Sequence, residues 1–268
     1  MSAAAPPPTP VSPAKNAPAA PAPPRPRVGE LHDSGTIHRE SVDADHWVAN
    51  GLVKVTGDAH LGNGKLTGTV SIGGKLSAAT VQYRGTLDVD GAIEATGSFT
   101  GSGSLRTGST LHVASADLRG SVRISGAITV DGALVARASV AAPSATVGEL
   151  TLEGEAHIPG DLTGTSVSAR LKENSNFGTI RGRSVVLQAK PPNIVDKVFF
   201  RTVTVKVARV EADSADLAGV DVGFVRAPQI TLGPYAHVTE YEGTIVKRHP
   251  SSRVGFESKS PAPYGLRR

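Results

Sequence analysis

The chain contains no cysteine, so neither a disulfide framework nor a thiolate metal site is open to it, and Cys-based nucleophilic chemistry is excluded. Aromatic residues are scarce, with six Phe, four Tyr and one Trp among 268 residues, and any core must therefore be assembled from Val, Ile, Leu and Ala. No apolar run approaches the roughly 20 residues that span a bilayer, and the opening MSAAAPPPTP lacks the basic start and apolar centre of a secretory signal. These absences make the cytoplasm the expected location. A strong excess of one charge is missing as well: the net charge is +4 and Lys and Arg are mostly interspersed with Asp and Glu. Only Lys247, Arg248, Arg253, Lys259, Arg267 and Arg268 gather in a basic tail. That tail reads as solubilising, with contact to nucleic acid or anionic lipid as the alternative.

What the chain has instead is glycine and proline, 30 and 19 residues respectively. Repeated prolines in 1–28 forbid both helix and sheet ladders, so this segment is expected to be a disordered Pro/Ala-rich arm. Residues 247–268 return to Pro, Ser and charge and are expected to be a disordered basic tail. The folded body lies between them, over 29–246.

Within that body one phrase recurs: GTIHRES at 35, GLVKVTG at 51, GTVSIGG at 68, GTLDVDG at 85, GSLRTGS at 103, GSVRISG at 120, RASVAAP at 137 and GEAHIPG at 154. The spacing is close to seventeen throughout. A finer period sits inside it, since Leu87, Ile93, Phe99, Leu105 and Leu111 are each six apart, which implies three faces per repeat. Alternation around the anchors, as in Leu87-Asp88-Val89, is that of a strand with one buried side. Helices fail because the runs break at glycine after about five residues. An antiparallel sandwich would not keep so constant a period. The expected fold is all-β, a single-stranded parallel β-solenoid of about 17 residues per coil with three short faces. Regular coils are expected over 35–170, an irregular inserted segment over 171–202, and further coils over 203–246, where Val205 and Val222 are again seventeen apart.

Residues at equivalent places in successive coils stack in columns, and these are where chemistry could sit. One column reads His38, Lys54, Ser71, Asp88, Arg106, Arg123, Val140 and His157. It mixes signs and places no carboxylate above another, which gives paired acid–base catalysis no support. Its neighbour, Thr36, Leu52, Thr69, Thr86, Ser104, Ser121, Ala138 and Glu155, is a hydroxyl ladder suited to β geometry, too irregular for an ice-binding surface. His60 and His112 occupy similar places three coils apart, about 14 Å at strand spacing, too far to share one zinc ion. Asp88, Asp90 and Glu94 form an acidic trio spread over two faces, read as surface charge. No nucleophile–base arrangement and no phosphate loop in a strand-to-helix context is apparent. No catalytic, cofactor or metal residue is therefore expected, and the chain is expected not to be an enzyme.

The shape leaves two ends carrying unpaired strand edges, and no amphipathic capping helix precedes or follows the coils. With its G-x-[VL]-x-[VI]-x-G coils between Pro-rich tails, and with VEADSADLAGVDVGFVRAPQITLGPYAHVTEYEGTI over 210–245, the sequence resembles the bactofilins, bacterial cytoskeletal proteins. The resemblance implies a right-handed β-helix that assembles end to end, without nucleotide, into nonpolar filaments. These filaments act as a scaffold for cell-wall, chromosome-segregation or membrane-associated proteins recruited through the tails, which brings the inner face of the membrane into view. No interface residue transfers by motif. Position alone nominates Ile37, Trp47 and Val48 near one end and Val238, Tyr241 and Ile245 near the other as the polymerisation interface. The competing expectation is a trimeric hexapeptide-repeat acyltransferase or zinc hydratase, whose coils keep closer to eighteen residues. A carbohydrate-active β-helix is a weaker third, since its grooves need long loops.

Overall fold

A computed structural model describes residues 28–172, 174–189 and 205–258. Among the described residues it is a single parallel sheet of thirteen strands hydrogen-bonded strictly in chain order. They are β1 (Val28–Arg39), β2 (Val42–Val55), β3 (Ala59–Ile72), β4 (Leu76–Val89), β5 (Ile93–Thr107), β6 (Leu111–Ile124), β7 (Ile128–Ala141), β8 (Ala145–Leu171), β9 (Asn176–Ala189), β10 (Lys206–Ala218), β11 (Asp221–Leu232), β12 (His237–Arg248) and β13 (Arg253–Glu257). Each strand is most of one turn of a right-handed winding that stacks on the turn before it. Val55, Ile72 and Val89 are successive rungs of one column, so the glycine-punctuated phrases do lie on top of one another. Strand β8 runs further than one turn, and its second half lies over its first, Gly164 against Val147.

The six-residue period proves to be a doublet. On each face two residues, two apart, point inward: Leu76 and Ala78, Val81 and Tyr83, Leu87 and Val89, then Ile93 begins the next coil. The following coil buries Ile93, Ala95, Phe99 and Leu105 with one more residue at the corner after Ala95, which is why β4 and β5 pair with a shift between Ala78 and Val81. The coil length is thus set at the corners, while the faces stay fixed and pack one continuous aliphatic core. Opposite that core each face shows an outward row. The first face carries Asp43, His60, Ser77, Glu94 and His112, the second Val48, Lys65, Gln82, Thr100 and Asp117, and the third Lys54, Ser71, Asp88, Arg106 and Arg123.

Four expectations need correction. An extra residue at the corner between Val130 and Leu134 moves β7 by one, so Ala138, not Arg137, stands over Gly120. The two columns therefore contain Ala141 and Ser139 where the spacing suggested Val140 and Ala138, and Val140 points inward and is buried. In the later coils Val222 pairs with Val207 rather than Val205, because those coils are shorter. The segment 171–202 is not irregular throughout: β9 is a full rung on β8, its Val185 and Leu187 fully buried, while residues 190–204 lie outside the described residues. Described strands also lie outside 29–246: β1 includes Val28, and β13 falls inside the stretch expected to be a disordered tail. The polar text RVGFE forms a strand because its ladder is made by backbone and one inward residue, Val254, suffices to seat it on the core.

Candidate assembly surfaces at the two ends

A parallel winding satisfies the backbone of every inner strand from both sides, whereas its first and last turns are bonded on one side only. At the first end β1 pairs with β2 along its length, and no described strand covers its other edge. Its inward positions are Leu31, Asp33, Ile37 and Arg39, which stand over the buried Trp47, Ala49, Val53 and Val55 of β2. Two places that are apolar in the coil beneath are thus a carboxylate and a guanidinium. Asp33 is only 3% exposed. It accepts from Arg39 Nε at 2.9 Å and Arg39 Nη2 at 2.6 Å, and the indole Nε1 of Trp47 donates to it at 2.9 Å. A buried carboxylate needs such a set of donors to remain charged. The Arg39 hydrogen bonds hold its pKa below the ordinary carboxylate value, against the opposing effect of burial. The first end is therefore a mixed surface, half aliphatic and half ion pair, and inward-pointing charge is one means of discouraging indiscriminate strand addition.

A folded pKa lowered in this way contributes stability that is complete above the ordinary value of 3.8 and is lost as pH falls through the lower folded value. Trp47 is the sole tryptophan and touches the carboxylate directly. Its emission is expected to shift to the red in an acid titration with a midpoint under 3.8, and this step should vanish in Asp33→Asn. An identical titration in both proteins would show that the pair does not hold the first coil.

At the second end β13 covers only His237–Tyr241 of β12, leaving the rest of that edge without a described strand. Ile245 and Tyr241 are half-buried against the core, while Val246 is 58% exposed, and Phe256 on β13 is 62% exposed. A column of alternating charge leads to this edge: Arg181, Glu211, Arg226 and Glu242 are successive rungs. Arg181 bridges Asp161 at 2.8 Å and Glu211 at 3.0 Å, and Arg226 meets Glu242 at 2.8 Å. Glu242 is the last rung, beyond the part of β12 that β13 covers.

The nominated residues fall unevenly on these surfaces. Ile37 lies in the terminal turn and is half-buried, while Trp47 and Val48 belong to β2, one turn inward, with Trp47 fully buried. Val238 is buried in β12 beneath β13, Tyr241 pairs with Glu257 of β13, and Ile245 stands on the uncovered edge. Sequence reasoning passed over Leu31, Asp33 and Arg39 at the first end and Val246, Val254 and Phe256 at the second. Asp33 and Arg39 are six apart, on the period of the apolar anchors, and that coincidence was the available signal.

Elsewhere the rod is shallow. His60 and His112 are separated by Ser77 and Glu94 in one column, three rungs apart as expected, and among the described residues no group of His, Asp and Glu is placed to hold a metal ion. In the acidic trio, Glu94 is paired with Lys75 at 2.6 Å. No helix among the described residues is long and apolar enough to cross a membrane. No family profile, curated protein or solved structure matches the chain.

Proposed function

We propose that this chain is a non-enzymatic, bactofilin-like cytoskeletal subunit that joins end to end, without nucleotide, into nonpolar filaments in the cytoplasm and recruits partners through its tails. The carrying observation is a pair of strand edges that no described strand covers, on an otherwise self-satisfied rod: a parallel β-solenoid finds at its end the same hydrogen-bonding template that binds each of its own turns. The two edges carry half-buried apolar side chains, Leu31 and Ile37 at one and Ile245 at the other, that a further turn would enclose. The hexapeptide-repeat enzyme reading is less well supported. The paired residues of successive turns are fifteen to nineteen apart, and thirty between β9 and β10, so a constant eighteen is lacking, and the two histidines suited to a shared metal are three rungs apart.

Negative-stain electron microscopy of the full chain without nucleotide is expected to show filaments over a range of salt and protein concentration. Discrete monomers or trimers in every condition would overturn the reading. Ile37→Lys places a charge that a joined interface would bury unpaired, and it should weaken association by roughly tenfold or more, about 1.4 kcal/mol at least, with the isolated rod's far-UV spectrum unchanged. Stoichiometric zinc in the purified protein would instead favour the enzyme.

A further inference from the structure

The charged residues of β2–β7 are sorted by side, although the sequence interleaves them. Six of the eight acidic residues in these strands and the turns joining them, among them Asp43, Glu94 and Asp131, sit on the first face or the corners bordering it. Seven of the eight basic residues sit on the second face, the third face or the corner between those two. Along that corner stand Arg84, Ser102, Arg119 and Arg137 on one flank from β4 to β7, and Arg106 and Arg123 of β5 and β6 on the other, in a column that has Asp88 one rung before them and Ala141 one rung after. Between the flanks lies the hydroxyl ladder Thr86, Ser104, Ser121 and Ser139. The arginines and the ladder side chains are all exposed. Arg119 and Arg137 reach acids only at 3.6 and 3.8 Å, and Arg84, Arg106 and Arg123 have no ionic or hydrogen-bonding partner among the described residues.

We propose that this corner is a docking strip for the phosphate backbone of a nucleic acid, bound without regard to sequence. Guanidinium groups match phosphate oxygens with paired hydrogen bonds, and Ser and Thr hydroxyls add the neutral contacts that position a sugar–phosphate chain. At the coil spacing the strip is about 14 Å long, a length over which duplex DNA presents roughly eight phosphates. The strip runs along a corner of the rod and offers no helix or projecting two-stranded ribbon to enter a groove, so its arginines would hold the backbone and leave sequence unread. A lipid surface fits less well: of the exposed large apolar side chains among the described residues, Leu52 alone stands in the ladder column, two rungs before Thr86, while Val28, Tyr235, Val246 and Phe256 lie towards the ends, so the strip has no cluster to insert between acyl chains. The inference does not depend on end-to-end joining, since the strip lies on the flank of the rod.

The test is fluorescence anisotropy of a labelled mixed-sequence DNA duplex with the full chain, titrated over a series of salt concentrations. Binding is expected with a log–log salt slope of about −3 to −4, corresponding to some four phosphates neutralised. Arg106→Glu/Arg123→Glu should lower affinity at least tenfold and flatten that slope, with the melting temperature unchanged. Lys75→Glu/Arg183→Glu makes the same change in net charge off the strip and should alter affinity by no more than about twofold. Three outcomes would overturn the proposal. One is equal binding by the strip variant, which would assign the contact to the basic residues after 246. Another is an equal loss in both double variants. The last is binding to phosphatidylserine vesicles with none to the duplex.

Discussion

Gly103→Ala is expected to destabilise the rod by on the order of 3–5 kcal/mol. Gly103 sits at φ +119°, and a Cβ there would drive into the carbonyl of Gly85 on the preceding rung, 2.9 Å from its carbon. Both penalties fall on backbone that has no room to move, because Gly85 is itself fixed between Gly68 and Gly103. Side-chain repacking cannot relieve a clash with a main-chain oxygen. The same substitution at Gly29, where nothing lies within 4 Å of the added carbon, should change stability by no more than about 0.5 kcal/mol. Denaturant unfolding of the two variants compares them directly, and equal midpoints would mean that the corner can be built another way. The rod itself contains one such corner: Ala138 stands in the glycine column over Gly120 without a positive φ, after a turn that carries an extra residue.

The second large effect concerns a side chain that occupies its neighbour's place. Tyr83 is 3% exposed, and its ring fills the volume that a side chain at Gly101, the next rung, would take. It also lies against Phe99, with centroids 5.7 Å apart. A Cβ on Gly101 would stand inside the ring, so Gly101→Ala should cost about 2–4 kcal/mol through overpacking. Replacing Tyr83 by Leu in the same chain should recover most of that loss, a coupling that a double-mutant cycle measures. The phenol has a second weakness. Its hydroxyl is buried with no hydrogen-bond partner among the described residues, and desolvation pushes its pKa up to about 12. Tyr83→Phe should therefore be neutral or stabilising, by up to about 1 kcal/mol, because it removes an unsatisfied polar group and keeps the ring. A loss of stability in Tyr83→Phe would reveal a partner for the hydroxyl.

The period was legible because the corner glycines and the inward aliphatic residues answer to the same geometry. Gly35, Gly51, Gly68, Gly85, Gly103 and Gly120 fall on one column in the structure at the spacing read from the text. Register failed where a corner changed length without changing composition. Asp131, Gly132 and Ala133 look like any other turn, yet one additional residue there shifted Arg137, Ala138 and Val140 by one place. The ends were the least legible part. Composition marks Asp33 and Arg39 as surface residues, and only their mutual hydrogen bonds make them interior ones. The sorting of charge around the rod was likewise hidden, because residues far apart in the text, such as Arg84 and Arg137, meet on one flank only once the coils are stacked.

The partial cover that β13 lays over β12 carries a mechanical consequence. A spiral has no flat end: its last surface rises by one strand spacing, about 4.8 Å, and among the described residues the riser falls just after Tyr241 and Glu257. A body seated on that ledge is keyed in rotation as well as in height, as the treads of a staircase fix the angle of the next flight. The azimuth between successive units of any polymer built on this end is then dictated by the residue at which the chain leaves the rod, so lengthening or trimming β13 would alter the pitch of the assembly before it altered its strength.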